Sequence, residues 1–227
     1  MRDDTLEAVE VQTTSEPEVS IIWLHGLGAD GHDFEPIVPQ LAPVLPPARF
    51  VFPHAPIRPV TVNGGMPMRA WYDIMAFDAT PPRDQEGIAA SRRLVESLLA
   101  REQERGIDSR RIVLAGFSQG GAMALYCGLR LGRPLAGLMG LSTYLLMSGA
   151  LESERAVANM ETGLFMAHGT YDPVVPIMAG QHAAARLRGL GYEVEWHEYP
   201  MPHAVCPEEI GHVAGWLAKR LAPSPES

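Results

Sequence analysis

The sequence predicts an α/β fold: a mostly parallel central sheet with helices on both faces. Three observations carry that expectation. Apolar, strand-like runs alternate with helical patterns along the chain. Several of the runs are continuously apolar, as strands covered on both faces must be. One of them, Ile112-Val113-Leu114-Ala115, stops at Gly116-Phe117-Ser118-Gln119-Gly120-Gly121, and apolar residues then resume at helical spacing.

In chain order, the β-branched run Val19 to Leu24 is the first strong strand, and it ends in His25-Gly26-Leu27-Gly28. Residues 33–45 are weakly helical and broken by prolines, and 48–53 (ARFVFP) reads as a second strand. Residues 54–84 hold many prolines and glycines together with Met66, Met68, Trp71, Tyr72, Met75 and Phe77. A loop of that length inside a compact domain is uncommon and often functional. Ile88, Leu94, Val95, Leu98 and Leu99 recur at helical spacing over 86–105, and Gly106 ends that helix. Strand 111–115 and helix 119–131 follow. Strands at 135–142 and 163–169, a helix at 176–189, an alternating strand at 192–199 and an amphipathic helix at 207–221 complete the pattern. No repeat or linker divides the chain, so 1–227 is expected to form a single domain, with 1–17 peripheral or an extra edge strand.

Composition narrows the function classes. The chain has 227 residues, 46% of them apolar, and a net charge of −9. Without a basic stripe, nucleic-acid binding is not expected. Of 18 basic residues only Lys219 is a lysine, a bias with no functional account. The acidic first residues lack the apolar core of a signal peptide. No apolar run approaches the roughly 18 residues of a membrane span. Cys127 and Cys206 have neither metal nor disulfide spacing, which fits a reducing, cytoplasmic setting.

The serine between glycines carries the chemistry. A hydroxyl is a poor nucleophile unless it stands exposed beside a base, with donors waiting for the oxyanion. Gly116-Phe117-Ser118-Gln119-Gly120 matches G-x-S-x-G, a sharp strand-to-helix turn that lifts Ser118 above the sheet edge. Glycines at 116 and 120 remove side chains that would collide across the turn. The N–H of Gln119 opens the helix and faces the developing charge. A second oxyanion donor belongs on the loop after an early strand, which makes the N–H of Leu27 the candidate. The acid should follow the serine, and Asp172 is the only aspartate that does. The base should come last. Of His182, His197, His203 and His212, only His203 lies on a loop at the carboxyl edge, between the last strand and the last helix. His182 and His212 read as helix-surface residues, His197 as a strand residue, and His25 and His168 as packing beside the site. No His/Cys/Asp cluster has ligand spacing, so no metal is expected.

Taken together, LHGLGADGHDF, FPHAP, WYD, GFSQGGAMAL, LSTYL, HGTYDPVVP and HAVCPEEIGHVAGWL, in that order from Leu24 to Leu217, resemble the bacterial carboxylesterase and acyl-protein thioesterase family of α/β-hydrolases. The resemblance implies an α/β-hydrolase fold and a triad of Ser118, Asp172 and His203 with Leu27 and Gln119 as oxyanion donors. It also implies a cofactor-free cytoplasmic enzyme, often a homodimer. Pro202 departs from the small residue that relatives commonly carry before the histidine. It restricts Met201 to extended conformations and places the histidine loop in question.

An acyl group needs an apolar groove near Ser118. Residues 61–77 are the expected wall, with Met66, Met68, Trp71 and Phe77 as substrate-binding residues; flexible methionines suit an adaptable surface. The expected substrate is a small carboxylic ester of short to medium chain. Acyl thioesters and lysophospholipids are the alternatives within the class, and a non-catalytic binding protein the alternative outside it.

Overall fold

The computed structural model describes residues 6–75 and 84–222. Its strands are β1 (Ala8–Gln12), β2 (Val19–Leu24), β3 (Ala48–Pro53), β4 (Ile57–Val60), β5 (Met66–Arg69), β6 (Ile112–Phe117), β7 (Gly137–Leu141), β8 (Leu164–Gly169) and β9 (Val194–Tyr199). Its helices are α1 (Val38–Leu41), α2 (Gln85–Glu104), α3 (Gln119–Gly128), α4 (Leu151–Glu154), α5 (Ile177–Gly189) and α6 (Pro207–Leu221). Seven strands form one sheet in the order β1-β3-β2-β6-β7-β8-β9. Only β1 runs antiparallel, pairing Val9 with Phe52 and Val11 with Phe50 at the edge. The architecture is the α/β arrangement that the sequence predicts, a mostly parallel sheet with helices on both faces.

Every residue of β2, β3, β7 and β8 is buried, which explains why these strands read as unbroken apolar runs. Their side chains divide by alternation. Ile22, Leu24, Ile112 and Leu114 face a core shared with α2, α3 and α5. Ile21, Trp23, Val113 and Ala115 face the opposite core, shared with α1 and α6. On each side, a helix stripe such as Ile210, Val213, Trp216 and Leu217 of α6 covers the sheet.

The strand order reverses at β2: the chain runs first to β3 on one side, then to β6 on the other. Such a reversal opens a crevice at the carboxyl ends of the two central strands. The loop after β2 and the β6–α3 turn meet there. Gly120 of α3 makes that meeting possible. A Cβ on Gly120 would lie 2.3 Å from the Leu24 carbonyl oxygen and 2.4 Å from that of His25.

The 54–84 segment is not a plain loop. It contains the antiparallel hairpin β4–β5, with Pro59 opposite Pro67. Gly64 and Gly65, both at positive φ, make its turn. Prolines are tolerated because this two-stranded sheet offers free edges.

Gly120→Ala should fold poorly. Backbone would have to move, and overpacking of this kind costs about 1–3 kcal/mol or more. Thermal melting should fall by several degrees.

Candidate active site

Ser118 occupies the single residue between β6 and α3, at φ 54 and ψ −121, a conformation L-residues avoid. Its surroundings enforce it. The Ser118 N–H donates to the Leu141 carbonyl at 2.8 Å, and its own carbonyl accepts from Thr143 Oγ1 at 2.7 Å and Ala122 N–H at 3.0 Å. A Cβ on Gly116 would lie 2.4 Å from the carbonyl carbon and oxygen of Gly120. Both glycines are therefore required by contact distance, each against a different piece of backbone.

His203 and Asp172 arrive from the carboxyl ends of β9 and β8. Their loops are stitched together: Thr170 N–H donates to Tyr199 O at 2.8 Å and Tyr171 N–H to Met201 O at 3.1 Å. A Cβ on Gly169 would lie 2.3 Å from the Met201 carbonyl oxygen and 2.4 Å from that of Pro202. His203 Nε2 stands 2.9 Å from Ser118 Oγ, and His203 Nδ1 stands 2.6 Å from Asp172 Oδ2. Pro202 thus leaves His203 within reach of both partners.

The Asp172 carboxylate is fully buried yet well supported. Its Oδ1 accepts from the N–H groups of Val174 and Val175, each at 2.8 Å. Behind it, His168 Nε2–H donates to Val175 O at 2.8 Å and lies 3.4 Å from Asp172 Oδ2. Burial holds the His168 pKa below its ordinary value, so this ring stays neutral. Phe117 packs its ring 4.7 Å from that of His203 and leaves Nε2 turned to the serine. The arrangement can move a proton from Ser118 to His203 while Asp172 fixes the ring's tautomer.

The loop after β2 lies against the serine: a Cβ on Gly26 would sit 3.4 Å from Ser118 Cβ. The Leu27 N–H has no acceptor among the described residues. Gln119, whose N–H starts α3, uses its side chain elsewhere. Oε1 accepts from Trp71 N–H at 2.9 Å and Nε2 donates to Tyr72 O at 2.7 Å.

A cavity of about 1400 Å³ opens beside Ser118. Beside Ser118, its lining includes Gly26, Leu27, Phe117, Gln119 and His203, together with the apolar Ile74, Met75, Leu145, Met147, Val174 and Met178. Three of the four expected substrate-binding residues fall elsewhere. Trp71 is fully buried and donates its indole N–H to His25 O at 2.9 Å. Met66 is exposed on the hairpin, Met68 packs near Gly28, and none of the three lines the cavity. Phe77 lies outside the described residues. His182, expected on a helix as a surface or interhelical residue, is exposed on α5 and also lines the cavity with Arg186. His197 binds Glu195 at 2.9 Å on the edge strand, and His212 Nδ1 shares a hydrogen bond with Tyr199 OH at 2.8 Å, both apart from the serine. The sequence signal for the missed wall, the LSTYLLM stretch after β7, reads only as a strand end followed by apolar residues.

A phospholipase/carboxylesterase family model matches residues 6–221. The chain belongs to that family. It is 39% identical over 219 residues to acyl-protein thioesterase 1 of Gibberella zeae, covering 92% of this chain and 93% of the relative. It is 40% identical over 212 residues to acyl-protein thioesterase 1 of Neurospora crassa, covering 89% and 86%. The crystal structure of Zea mays acyl-protein thioesterase 2 superposes with a TM-score of 0.85 at 30% identity, over 95% of this chain and 99% of that one. These curated relatives are fungal, whereas the sequence resemblance names bacterial carboxylesterases. The chain is accordingly a hydrolase of the serine-hydrolase type, with esterases and thioesterases as its relatives.

Glu209, in the first turn of α6 just beyond the histidine loop, is a buried acid. Neither carboxyl oxygen has a well-formed hydrogen bond among the described residues, and the nearby Cys206 N–H offsets only part of the burial. Its pKa is pushed up to about 8. A raised acid pKa favours folding while the group stays protonated. Stability should therefore fall as pH rises from about 4.5 through 8. Glu209→Gln should flatten that slope in thermal melts and exceed the wild type in stability near the alkaline end. Separately, Ser118→Ala should fold and retain less than about a thousandth of wild-type turnover. His203→Ala should be nearly as damaging and His197→Ala should not.

Proposed function

We propose that this enzyme hydrolyses carboxylic esters and acyl thioesters with apolar acyl groups, through an acyl-enzyme on Ser118. The observation that carries the reading is His203 bridging Ser118 Oγ at 2.9 Å and Asp172 at 2.6 Å at the mouth of an apolar cavity.

Ser118 Oγ attacks the acyl carbon as its proton passes to His203 Nε2. The carbonyl oxygen becomes an oxyanion between the N–H groups of Leu27 and Gln119. His203 then returns the proton to the departing alcohol or thiol, and the acyl group remains on Ser118. Water enters, gives its proton to His203 and attacks the acyl carbon; the Ser118 oxygen leaves and recovers the proton. Asp172 stays ionised throughout, accepting from Nδ1–H and from two backbone N–H groups.

Substrate class follows from the cavity and the relatives. Ligand sites typically run about 300–1,000 Å³, so about 1400 Å³ supports acyl chains beyond the short to medium range expected from sequence. The names of the fungal and maize relatives support a thioester as substrate. A thiol, with a pKa of about 8.5, also leaves more readily than an alcohol. The acyl wall is assigned to Ile74, Met75, Leu145, Met147, Val174 and Met178. Trp71 instead holds backbone behind the site.

Profiling p-nitrophenyl esters of rising chain length, beside an acyl-cysteine thioester, tests this. Each buried methylene contributes about 0.8 kcal/mol. Ile74→Ala should therefore lower kcat/KM more for octanoate than for acetate. Trp71→Ala should lower both alike, because it acts behind the site. A Trp71 effect confined to the longer ester would move the acyl wall back to the 61–77 segment.

A further inference from the structure

The Gln119 N–H is aimed by a helix, but the Leu27 N–H sits on a loop that no ladder or helix fixes. The residues around it supply the missing constraint. In the His25 ring, Nε2 stands 3.0 Å from the Ala55 N–H and must accept from it. The ring proton then resides on Nδ1, which donates to Gly26 O at 2.7 Å. Burial pushes the His25 pKa down to about 4, so the neutral ring that can accept from Ala55 is the form present at neutral pH. The His25 carbonyl, in turn, accepts from the buried Trp71 indole at 2.9 Å. Trp71 N–H is held by the Gln119 side chain at 2.9 Å.

The Gly26 carbonyl belongs to the same peptide unit as the Leu27 N–H. That unit is planar and trans, so its C=O and N–H point in opposite directions. Gripping the oxygen therefore sets the direction of the hydrogen. Ala29 N–H also reaches Gly26 O, at a looser 3.3 Å, so the histidine bond is the shorter of the two. A hydrogen bond accepted at the carbonyl also polarises the N–H across the peptide.

We infer that His25 is a positioning residue for the reaction: its Nδ1–H aims the Leu27 N–H at the oxyanion, and Trp71 with the Gln119 side chain holds His25 in place. The inference rests on the assignment of Leu27 as an oxyanion donor. A buried histidine with both nitrogens satisfied can be mere packing. What separates this one is the identity of its acceptor, the carbonyl of the donor's own peptide.

Two substitutions divide the roles of the ring. In His25→Asn the amide nitrogen takes the place of Nδ1 and can still donate to Gly26 O, while the bond from Ala55 is lost. In His25→Gln the amide reaches the place of Nε2 and can accept from Ala55, while Gly26 O is released. Losing an oxyanion donor outright costs about 10²–10³ in kcat. Misaiming one in His25→Gln should lower kcat about 10–100-fold with KM little changed. Affinity for a trifluoromethyl ketone, whose hemiketal oxygen occupies the hole, should drop in parallel. His25→Asn should recover most of that loss, and melting temperatures should not follow the ranking of activities. In the wild type, ¹⁵N spectra should show a neutral ring protonated at Nδ1. Full activity in His25→Gln, equal losses in both variants tracking lower melting temperatures, or an Nε2-protonated ring would each overturn the inference. Replacing the Leu27 amide by an ester linkage through semisynthesis isolates the underlying assignment. If that change leaves kcat intact, the oxyanion role of Leu27 fails; if it costs activity while His25→Gln does not, only the positioning role fails.

Discussion

The contact between Gly116 and Gly120 governs this molecule. Strand β6 becomes helix α3 across one residue, and the turn closes so tightly that a Cβ on Gly116 would lie 2.4 Å from Gly120 backbone. Gly120 in turn lies where a Cβ would meet the carbonyls of Leu24 and His25. The closeness forces Ser118 into its positive φ and lifts its hydroxyl off the sheet. It also brings the end of β2 against the start of α3, which places Gly26 beside Ser118. The serine and the loop after β2 are thus one packing arrangement, and the strand order that reverses at β2 creates the crevice they share.

The remaining parts reach this point by different routes. His203 and Asp172 are carried on loops whose backbones hydrogen-bond to each other across β8 and β9. Asp172 can be buried as an anion because two backbone N–H groups and His203 satisfy it. A third network of Gln119, Trp71 and His25 ties the hairpin-bearing segment to the loop after β2. The cavity beside Ser118 is lined by the segments after β5, β7 and β8.

Much of this was legible in the sequence where local chemistry and long-range contact agree. The apolar runs of β2, β3, β6, β7 and β8 are strands because both faces are covered. Gly116 is dictated by backbone four residues ahead, and Gly120 by the carbonyls of Leu24 and His25 at the end of β2. The order of serine, acid and histidine left one aspartate and one loop histidine. The hairpin β4–β5 was hidden because Pro59 and Pro67 argue against strands; Asn63-Gly64-Gly65 was its only turn signal. Trp71 misled for a different reason. An aromatic in a Gly/Pro-punctuated segment resembles a flexible wall, but its indole N–H has a partner in the interior, and the ring follows it inward. The cavity lining at Leu145, Met147 and Met178 comes from separate segments brought together only by folding.

A crystal structure of the enzyme reacted with a long-chain alkyl fluorophosphonate would test the account most directly. The account predicts phosphorus bonded to Ser118 Oγ, its charged oxygen about 3 Å from the N–H groups of both Leu27 and Gln119, and the alkyl chain lying along Ile74, Met147 and Met178. An unmodified Ser118, or an adduct whose oxygen turns away from both N–H groups, would contradict it.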